Sequence, residues 1–579
     1  MAVRSDWSGR TDPSGAARSG PGSDGDLRVW SARHLISLLV AVPVLLVANR
    51  GQWFFKDDWE AITRRLGQPG GVSIWAPHNE HWTTLPILAF RVLFAGFGLR
   101  TYWPWIVLLI AVHLVVVHMA WRLCVHSGAG PGVATVVALI LAVLGSGAEN
   151  LLWGFQIGFD GAVAATLGMA VLLDHPQLSL RRGVAAVALA VIALMCAGVS
   201  LPLLIIPGLV CLFRHRVLRT AAIFVVPAAV YLTWYRLEGS AATVASPGSP
   251  GQYLRYVVTG LWDSVADAGG TRAAPVVAGI ALVTAVMLVL RRPGTLSHPA
   301  VVLQAASALA VLALFVSIGV GRASLGGAQA GSSRYVYLAA MAGAPLVAGA
   351  AGVLLRWRPR LTALPLAAVA LFALLTNVLA LQARADVERV REQHTKEDVT
   401  AAYLLARAGE PLLNVSADPQ SGFSNAAAIV ALDRRGAFGN RPGRVPSATL
   451  ADERLRLQLA MHPGRVPAGT RPVGVRAAPG TTARRVGSCT VFDRVPGGRE
   501  QVLVATVGGP GSATLAAGSP GAVTAEFLYS PANPLAGGIL VEQVLSYPST
   551  LTWLGRRGTV RLTFPGPGPT TVCAPGRAP

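Results

Sequence analysis

The chain has 579 residues, of which 53% are hydrophobic and only 13% are charged, and its mean hydropathy is +0.51. Soluble globular proteins carry about 25% charged residues, so this composition excludes an ordinary soluble protein and favours helices that lie in lipid. The net charge of +21 would usually suggest a nucleic-acid partner. Because the basic residues lie mainly between the apolar blocks and in the tails, we expect a lipid bilayer and no nucleic acid as partner.

The chain begins with a polar segment, residues 1–29, which predicts a disordered cytoplasmic tail rather than a cleavable signal peptide. Apolar blocks of the size needed for a spanning helix, about 20 residues, then follow at intervals. Their predicted cores, about eleven in all, are residues 34–49, 103–124, 132–148, 152–173, 184–198, 199–213, 219–235, 274–290, 299–320, 335–355 and 361–382. The pair 184–198 and 199–213 is also consistent with one helix broken near Pro202.

The placement of arginine predicts the orientation of these helices, because short cytoplasmic loops are enriched in Lys and Arg. With the N-terminus in the cytoplasm, every second loop is basic, as at Arg122 and Arg356. An odd number of spans then puts the C-terminal region outside the cell. We predict a transmembrane domain over 30–382, with a first extracytoplasmic loop at 50–102, and an extracytoplasmic domain over 383–579.

The composition after residue 382 is that of a folded α+β domain. Residues 383–408 have a charged helical pattern, and a second helix is predicted near Thr449. Short strands separated by Gly/Pro turns follow, at 502–507, 522–529, 539–545, 551–554 and 559–564. They predict a part resembling a β-sandwich. Cys489 and Cys573 flank these strands, and an extracytoplasmic location would favour a disulfide between them.

The first extracytoplasmic loop contains two groups of acidic residues. Asp57 and Asp58 follow the first apolar block, and Glu80 lies between His78 and His81 about twenty residues later. Carboxylates near a bilayer surface can act as a general base or bind a divalent cation, and carboxylate with imidazole suits Mn²⁺, Mg²⁺ or Zn²⁺. The alternative is a solvated acidic turn with interfacial histidines.

An acidic pair after the first transmembrane helix, followed by a second acidic motif that runs into an apolar segment with a proline, resembles the GT-C superfamily. These are polyprenyl-phosphate-dependent membrane glycosyltransferases, such as protein O-mannosyltransferases and lipid A aminoarabinose transferases. The resemblance implies that Asp57 and Asp58 supply the catalytic carboxylate. It also implies that Glu80, with His78 and His81, binds the metal or the acceptor. The second motif departs from the Glu-Lys-Pro-Pro type, since His81 and Trp82 replace Lys and Pro.

The resemblance also implies a donor in which a sugar is carried on polyprenyl phosphate, and the leaving phosphate needs cationic stabilisation. Arg322 and Arg334, followed by Tyr335, are the candidates for that role; the alternative for each arginine is an interfacial residue that extends toward the headgroups. A further polar group near an outer helix end contains Glu149, Asn150, Gln156 and Asp160. An acid inside an apolar stretch indicates either function or a structural partner for an arginine.

The sequence therefore predicts an inverting glycosyltransferase at the outer face of a bacterial plasma membrane, which moves a sugar to a glycan, lipid or protein acceptor. One alternative is a transporter or flippase of lipid-linked saccharides, and another is a non-catalytic protein of envelope assembly. A transporter should place ionisable residues near the bilayer midplane in two related halves. Here the polar residues cluster at one face, which favours the enzyme.

Overall fold

The fold is known from a computed structural model. The structure describes residues 24–65, 71–242, 248–291, 298–418, 420, 422–439, 443–463, 471–478, 481–493, 500–507, 511–517, 521–528, 539–545, 549–554, 558–565 and 569–574. Residues 1–23 of the predicted tail lie outside this set, and the first helix begins at Asp24.

Most of the described chain is helical. The α-helices, in chain order, are α1 (Asp24–Ala48), α2 (Asp57–Arg64), α3 (Thr84–Phe97), α4 (Trp103–Cys124), α5 (Pro131–Ala142), α6 (Glu149–Leu152), α7 (Ile157–Leu173), α8 (Leu180–Cys196), α9 (Ser200–Leu203), α10 (Ile205–Leu237), α11 (Pro250–Ala268), α12 (Ala274–Leu290), α13 (Pro299–Arg322), α14 (Ser333–Trp357), α15 (Pro359–Arg407), α16 (Ala426–Arg434) and α17 (Ser447–Gln458). Every apolar block predicted from the sequence overlaps at least one of these helices.

Seven helical segments in the described part of the chain are long and apolar enough to cross a membrane. They are Leu27–Ala48, Trp103–Ala129, Gly154–Leu173, Ser200–Leu237, Pro299–Leu325, Ser333–Trp357 and Pro359–Arg407. Three shorter apolar helices, α3, α5 and α12, accompany them. The chain is a multi-pass membrane protein, as its composition indicates, while the number of about eleven spans and the orientation stay predictions.

The helices differ from the predicted blocks at three places. The first predicted loop contains two helices, α2 and α3. The block predicted over 132–148 is α-helical only to Ala142. At the following Gly145 the backbone passes so close to α15 that a Cβ atom would lie 2.1 Å from the carbonyl oxygen of Asn377. The third difference is in α10, where Arg216 has non-helical dihedral angles that divide the helix into two arms. These arms correspond to the predicted blocks 199–213 and 219–235.

The last membrane helix does not end where the sequence changes composition. Helix α15 contains 49 residues and is about 74 Å long at 1.5 Å per residue. It therefore runs through the domain boundary predicted at residue 383. Its one internal proline, Pro365, lies near its start, so no later residue forces the helix to stop where its surface becomes charged.

The C-terminal region contains eleven described strands, β1 (Leu459–Pro463), β2 (Gly474–Ala477), β3 (Thr482–Val486), β4 (Cys489–Asp493), β5 (Glu500–Val507), β6 (Gly511–Ala517), β7 (Gly521–Leu528), β8 (Ile539–Leu545), β9 (Ser549–Trp553), β10 (Gly558–Pro565) and β11 (Thr570–Cys573). They form a six-stranded sheet, in the order β1-β9-β6-β11-β4-β3, and a five-stranded sheet, in the order β2-β5-β10-β7-β8. All pairings of these strands are antiparallel. The five predicted strands match β5, β7, β8, β9 and β10, although residue 529 lies outside the described part.

The two sheets share one apolar core. Phe492, Leu515 and Trp553 from the six-stranded sheet cluster with Val560 and Leu562 from the five-stranded sheet. Each of these side chains is almost fully buried, as expected where two sheets pack face to face. The β-sandwich-like part expected from the sequence is therefore confirmed. A disulfide joins Cys489 to Cys573, which are partners in the β4–β11 ladder.

This disulfide closes a loop of 84 residues in sequence, and it should stabilise the C-terminal sheets by restricting the unfolded chain. We expect the Cys489→Ser/Cys573→Ser double variant to lose about 2–5 kcal/mol of stability in this region. Limited proteolysis of membranes should then cleave the C-terminal region at lower denaturant concentration than in wild type. The variant Cys124→Ala, at a buried free cysteine in α4, is the control, and equal resistance of both variants would contradict the prediction.

Candidate functional site

The segment between α1 and α2 is held against the helical bundle by a cluster of aromatic rings. Phe54 is fully buried and makes edge-to-face contacts with Tyr102 at 4.7 Å and Trp105 at 4.9 Å between ring centroids. Trp53 and Trp59 complete the cluster. Such pairs stabilise beyond the apolar area that they bury, so this short segment has a defined position relative to α4.

Asp58 fixes the backbone turn that opens α2. Its Oδ2 accepts hydrogen bonds from the Phe55 backbone N–H at 3.0 Å and from the Tyr102 hydroxyl at 2.7 Å. The same Tyr102 oxygen accepts a hydrogen bond from the Gly154 backbone N–H at 2.7 Å. Burial raises the pKa of Asp58 to about 8, although these hydrogen bonds oppose the change. Asp58 is thus a buried structural link between the loop, α4 and the start of α7.

A tight turn over residues 78–81 forms the second part of the site. The backbone groups of His78 and His81 exchange two hydrogen bonds, at 3.0 and 2.9 Å. Asn79, inside the turn, has a φ of 51°, a left-handed conformation that Asn tolerates better than most residues. The turn therefore keeps the two imidazoles at one place beside α2.

The side chain of His78 lies between two carboxylates of α2. Its Nδ1 is 2.8 Å from Glu60 Oε2, and its Nε2 is 3.5 Å from Asp57 Oδ2. Burial alone would lower the pKa of His78, but Asp57 and Glu60 together raise it to about 9. Burial would likewise raise the pKa of Glu60, but His78 and Arg65 lower it to about 2. At neutral pH the pair is an imidazolium and a carboxylate.

Glu80 joins this turn to the end of α13. Its Oε1 accepts hydrogen bonds from Nε and one terminal nitrogen of Arg322, at 3.2 and 2.6 Å. Although burial opposes it, the neighbouring His81 and Arg322 lower the pKa of Glu80. His81 lies within 3.7 Å of the same carboxylate, and burial, with the charge of Arg322, lowers its pKa to about 4. His81 is therefore neutral at pH 7.

A cavity with about 500 Å³ of empty space, including its open mouth, lies between these elements. Its lining residues lie in or beside α2, the turn, α3, α7, α8, α13 and α14: Asp57, His78, Asn79, His81, Thr83, Pro86, Phe155, Gln156, Gly158, Phe159, Cys196, Ala197, Arg322, Arg334 and Tyr335. Residues far apart in sequence, such as Asp57 and Arg322, thus share one surface. Of the residues predicted from the sequence, the cavity brings together the carboxylate of Asp57, both histidines, Gln156, both arginines and Tyr335.

Other predicted residues lie elsewhere. Glu149 lines a second cavity, of about 460 Å³, which also contains Lys56, Arg384 and Glu392. It remains close to the first cavity, because Glu149 Oε2 is 3.5 Å from Arg334 Nε. Asn150 and Asp160 are fully buried, and Asn150 donates a hydrogen bond of 2.8 Å to Asp160. Among the described residues, Asp160 is thus paired with an asparagine of the bundle and not with an arginine, the partner that the structural alternative required.

The predicted metal ligands do not form a metal site. In the described part of the chain, no group of three or more His, Cys, Asp or Glu side chains could hold a metal ion. The reason lies in their partners: Glu80 is bound to Arg322, and His78 is held between Asp57 and Glu60. A protonated imidazole has no lone pair to offer a cation, so these residues do not fit a divalent metal.

Glu60 and Arg65 belong to the site but were not predicted to have a role. Glu60 lies three residues after Asp57, a helical spacing that places two side chains on one face. That spacing is visible in the sequence and was the available signal. Nothing in the sequence indicates Arg65, whose contacts with the carbonyl oxygens of Ala76 and Pro77 depend on the fold of the loop.

Comparison with known proteins yields one distant similarity. No family model matches the sequence, and no curated protein matches it. Among solved structures, the chain is similar to ArnT from Cupriavidus metallidurans bound to undecaprenyl phosphate, with 15% identity and a TM-score of 0.43. The similarity covers 76% of this chain and 93% of that one. At this identity and TM-score, it establishes neither the fold family nor the activity of the present chain.

The raised pKa of Asp58 predicts a pH-dependent effect of its substitution. A carboxyl group whose folded pKa exceeds its ordinary value of 3.8 contributes stability at low pH that is lost as the pH rises toward about 8. Asp58→Asn keeps the shape and cannot ionise. The melting temperature of the variant relative to wild type should therefore rise between pH 5 and pH 8, by an equivalent on the order of 1 kcal/mol per pH unit. The difference should level off above pH 8, where the carboxyl is ionised in both the folded and the unfolded protein.

The exposed Asp386 on α15 offers a control, since Asp386→Asn makes the same substitution at a solvated position. Melting curves of the three purified proteins in detergent are the measurement. A constant difference between Asp58→Asn and wild type across this pH range would show that Asp58 does not take up a proton in the folded protein.

Proposed function

We propose that the chain is a membrane glycosyltransferase of the GT-C type, which transfers a sugar from a polyprenyl-phosphate donor to a hydroxyl acceptor with inversion. One observation carries this proposal: a single cavity contains a half-buried carboxylate, Asp57, together with two arginines, Arg322 and Arg334. A base and a cationic anion-binding pair are the groups that such a transfer requires.

The proposed reaction is a single displacement. Asp57 accepts the proton of the acceptor hydroxyl while that oxygen forms a bond to the anomeric carbon of the sugar. The bond between this carbon and the phosphate oxygen breaks, and its electron pair leaves with the polyprenyl phosphate. Because the acceptor attacks from the face opposite the phosphate, the configuration at the anomeric carbon inverts.

The two arginines suit the leaving phosphate. Each guanidinium has five N–H donors in a fixed plane. Arg322 uses its Nε and one terminal nitrogen on Glu80, and Arg334 faces Glu149 only at 3.5 Å. Both retain donors for phosphate oxygens, and charge-assisted bonds of this kind are among the strongest available to a side chain. Neutral His81 can bind a sugar hydroxyl without adding a charge.

The proposal includes an orientation. The cavity would face the extracytoplasmic side of a bacterial plasma membrane, with the N-terminus in the cytoplasm and the C-terminal domain outside. The arginine-rich loops on the opposite side support this arrangement. The lipid tail of the donor would then remain in the outer leaflet while its phosphate reaches the two arginines.

Replacement of the proposed base tests the function directly. We expect Asp57→Asn to reduce sugar transfer by about 10²–10⁴-fold, because the loss of a general base has this range of effect. The measurement uses membranes that contain the full chain and a radiolabelled polyprenyl-phosphate sugar. Asp174→Asn, at an acid bound to His126 and Arg214 beyond the other end of α7, is the control and should transfer normally.

Transfer by Asp57→Asn at the wild-type rate would remove Asp57 from the mechanism. If the wild-type protein moves the labelled lipid across the bilayer without transferring its sugar, the transport alternative replaces the enzyme.

Substitution of a phosphate-binding arginine should weaken both donor binding and leaving-group stabilisation. We expect Arg334→Gln to lower kcat/KM for the donor by about 10²-fold, the effect of removing one preorganised donor to developing charge. Arg272→Gln, at an exposed arginine bound to Asp263, is the matched control. An unchanged kcat/KM in Arg334→Gln would show that the phosphate binds elsewhere.

A further inference from the structure

We propose that Arg65, Glu60 and His78 form a positioning chain, in which Arg65 orients Glu60, Glu60 orients His78, and His78 holds the Asp57 carboxylate toward the cavity. This inference rests on the proposed function, since it assigns the groups that prepare the proposed base. Together these four side chains make up the Arg65–Asp57 chain.

The Arg65–Asp57 chain begins at a buried arginine. The Arg65 side chain is 2% exposed, and its Nε donates to Glu60 Oε1 at 3.0 Å. Its two terminal nitrogens donate to the carbonyl oxygens of Ala76 at 2.8 Å and Pro77 at 2.7 Å. One guanidinium therefore binds a carboxylate of α2 and the backbone just before His78. A buried arginine that satisfies three partners in fixed geometry is suited to hold two segments in register.

The second link sets the orientation of the imidazole. Glu60 is ionised and accepts from His78 at Nδ1, at 2.8 Å, so this ring nitrogen carries a hydrogen. The other ring nitrogen, Nε2, lies 3.5 Å from Asp57 Oδ2. Within the described residues, Nε2 has no closer hydrogen-bond partner. The ring of Phe155, with its centroid 4.8 Å from that of His78, covers the imidazole and limits its rotation.

The third link acts on the proposed base. An imidazolium N–H that donates to Asp57 Oδ2 when the acceptor binds occupies that oxygen, which leaves Oδ1 to meet the acceptor hydroxyl. The separation of 3.5 Å is long for a hydrogen bond, and such contacts often tighten only when substrate binds. The Arg65–Asp57 chain thus determines which oxygen of the Asp57 carboxylate can act as the base.

Asp57 and Glu60 on α2 are the charged groups in contact with His78. The titratable side chains of His81, Arg322, Arg334 and Tyr335 line the same cavity. The two groups in contact are both carboxylates. Because the pKa of His78 is raised to about 9, the imidazolium is present at neutral pH. It loses its proton as the pH rises through about 9.

Histidine titration by NMR tests the links without any assay of transfer. The full chain is labelled with ¹⁵N-histidine in detergent micelles, and the resonances of His78 are identified by their absence in His78→Gln. We expect wild-type His78 to titrate near pH 9. Glu60→Gln and Asp57→Asn should each shift its titration to lower pH by about 1 unit or more, since each removes an adjacent opposite charge.

Asp174→Asn is the matched control, because Asp174 also binds a histidine and an arginine but lies beyond the other end of α7. It should leave the titration of His78 unchanged. Titration of wild-type His78 near its ordinary value of 6.5, or an unchanged titration in both Glu60→Gln and Asp57→Asn, overturns the inference. If Glu60→Gln does not fold, Asp57→Asn still decides the outcome, since Asp57 is one-third exposed.

Kinetics separates the positioning chain from the proposed function. In sugar transfer, Glu60→Gln should lower kcat by about 10- to 100-fold, the effect of a misplaced catalytic group, with the KM for the donor unchanged. The alkaline limb of its kcat profile should move to lower pH. If wild type transfers the sugar and Glu60→Gln has an unaltered kcat–pH profile, the positioning role of the Arg65–Asp57 chain is wrong, while the proposed function is retained. If wild type does not transfer the sugar but shows the expected NMR shifts, the proposed function is wrong, while the contacts of the Arg65–Asp57 chain are confirmed.

Discussion

The site depends on one buried contact, the hydrogen bond between the Tyr102 hydroxyl and the carboxyl of Asp58. Tyr102 also accepts from the Gly154 N–H, so this contact ties the segment before α2 to α4 and to the start of α7. A buried polar group without hydrogen-bond partners costs free energy. The Asp58 carboxyl therefore favours the one arrangement of these segments in which Tyr102 donates to it. Asp58 fixes the position of the start of α2, and this places its neighbour Asp57 at the cavity.

Charge pairing is the second constraint on the cavity. The guanidinium of Arg322 faces Glu80, that of Arg334 faces Glu149, and the imidazolium of His78 faces Glu60 and Asp57. Taking several like charges into a partly buried space would be unfavourable without these partners. The pairing therefore keeps the arginines in place before an anionic group arrives, while their remaining N–H donors stay available to bind it.

The two ends of α7 illustrate how similar groups acquire different roles. At one end, Asp57, His78 and Glu60 surround an open cavity. Beyond the other end, Asp174 binds His126 at 2.7 Å and Arg214 at 2.8 Å, and none of the three lines either cavity. Composition alone does not separate these sets, since both combine acid, histidine and arginine. Only the space beside the first set gives it a chemical use in the proposed mechanism.

Periodicity and composition were sufficient to place the apolar helices and five of the eleven described strands, because apolar length and alternation follow from local sequence. They also singled out Asp57, His78, His81, Arg322 and Arg334. The tertiary structure alone decided that Asp58 is buried, that Glu80 binds Arg322, and that Glu60 contacts both Arg65 and His78. These outcomes depend on contacts between segments distant along the chain, and neither hydropathy nor motif spacing encodes which carboxylate receives which partner. The continuity of α15 through residue 383 is of the same kind, since a change from apolar to charged side chains alters the surroundings of a helix without ending it.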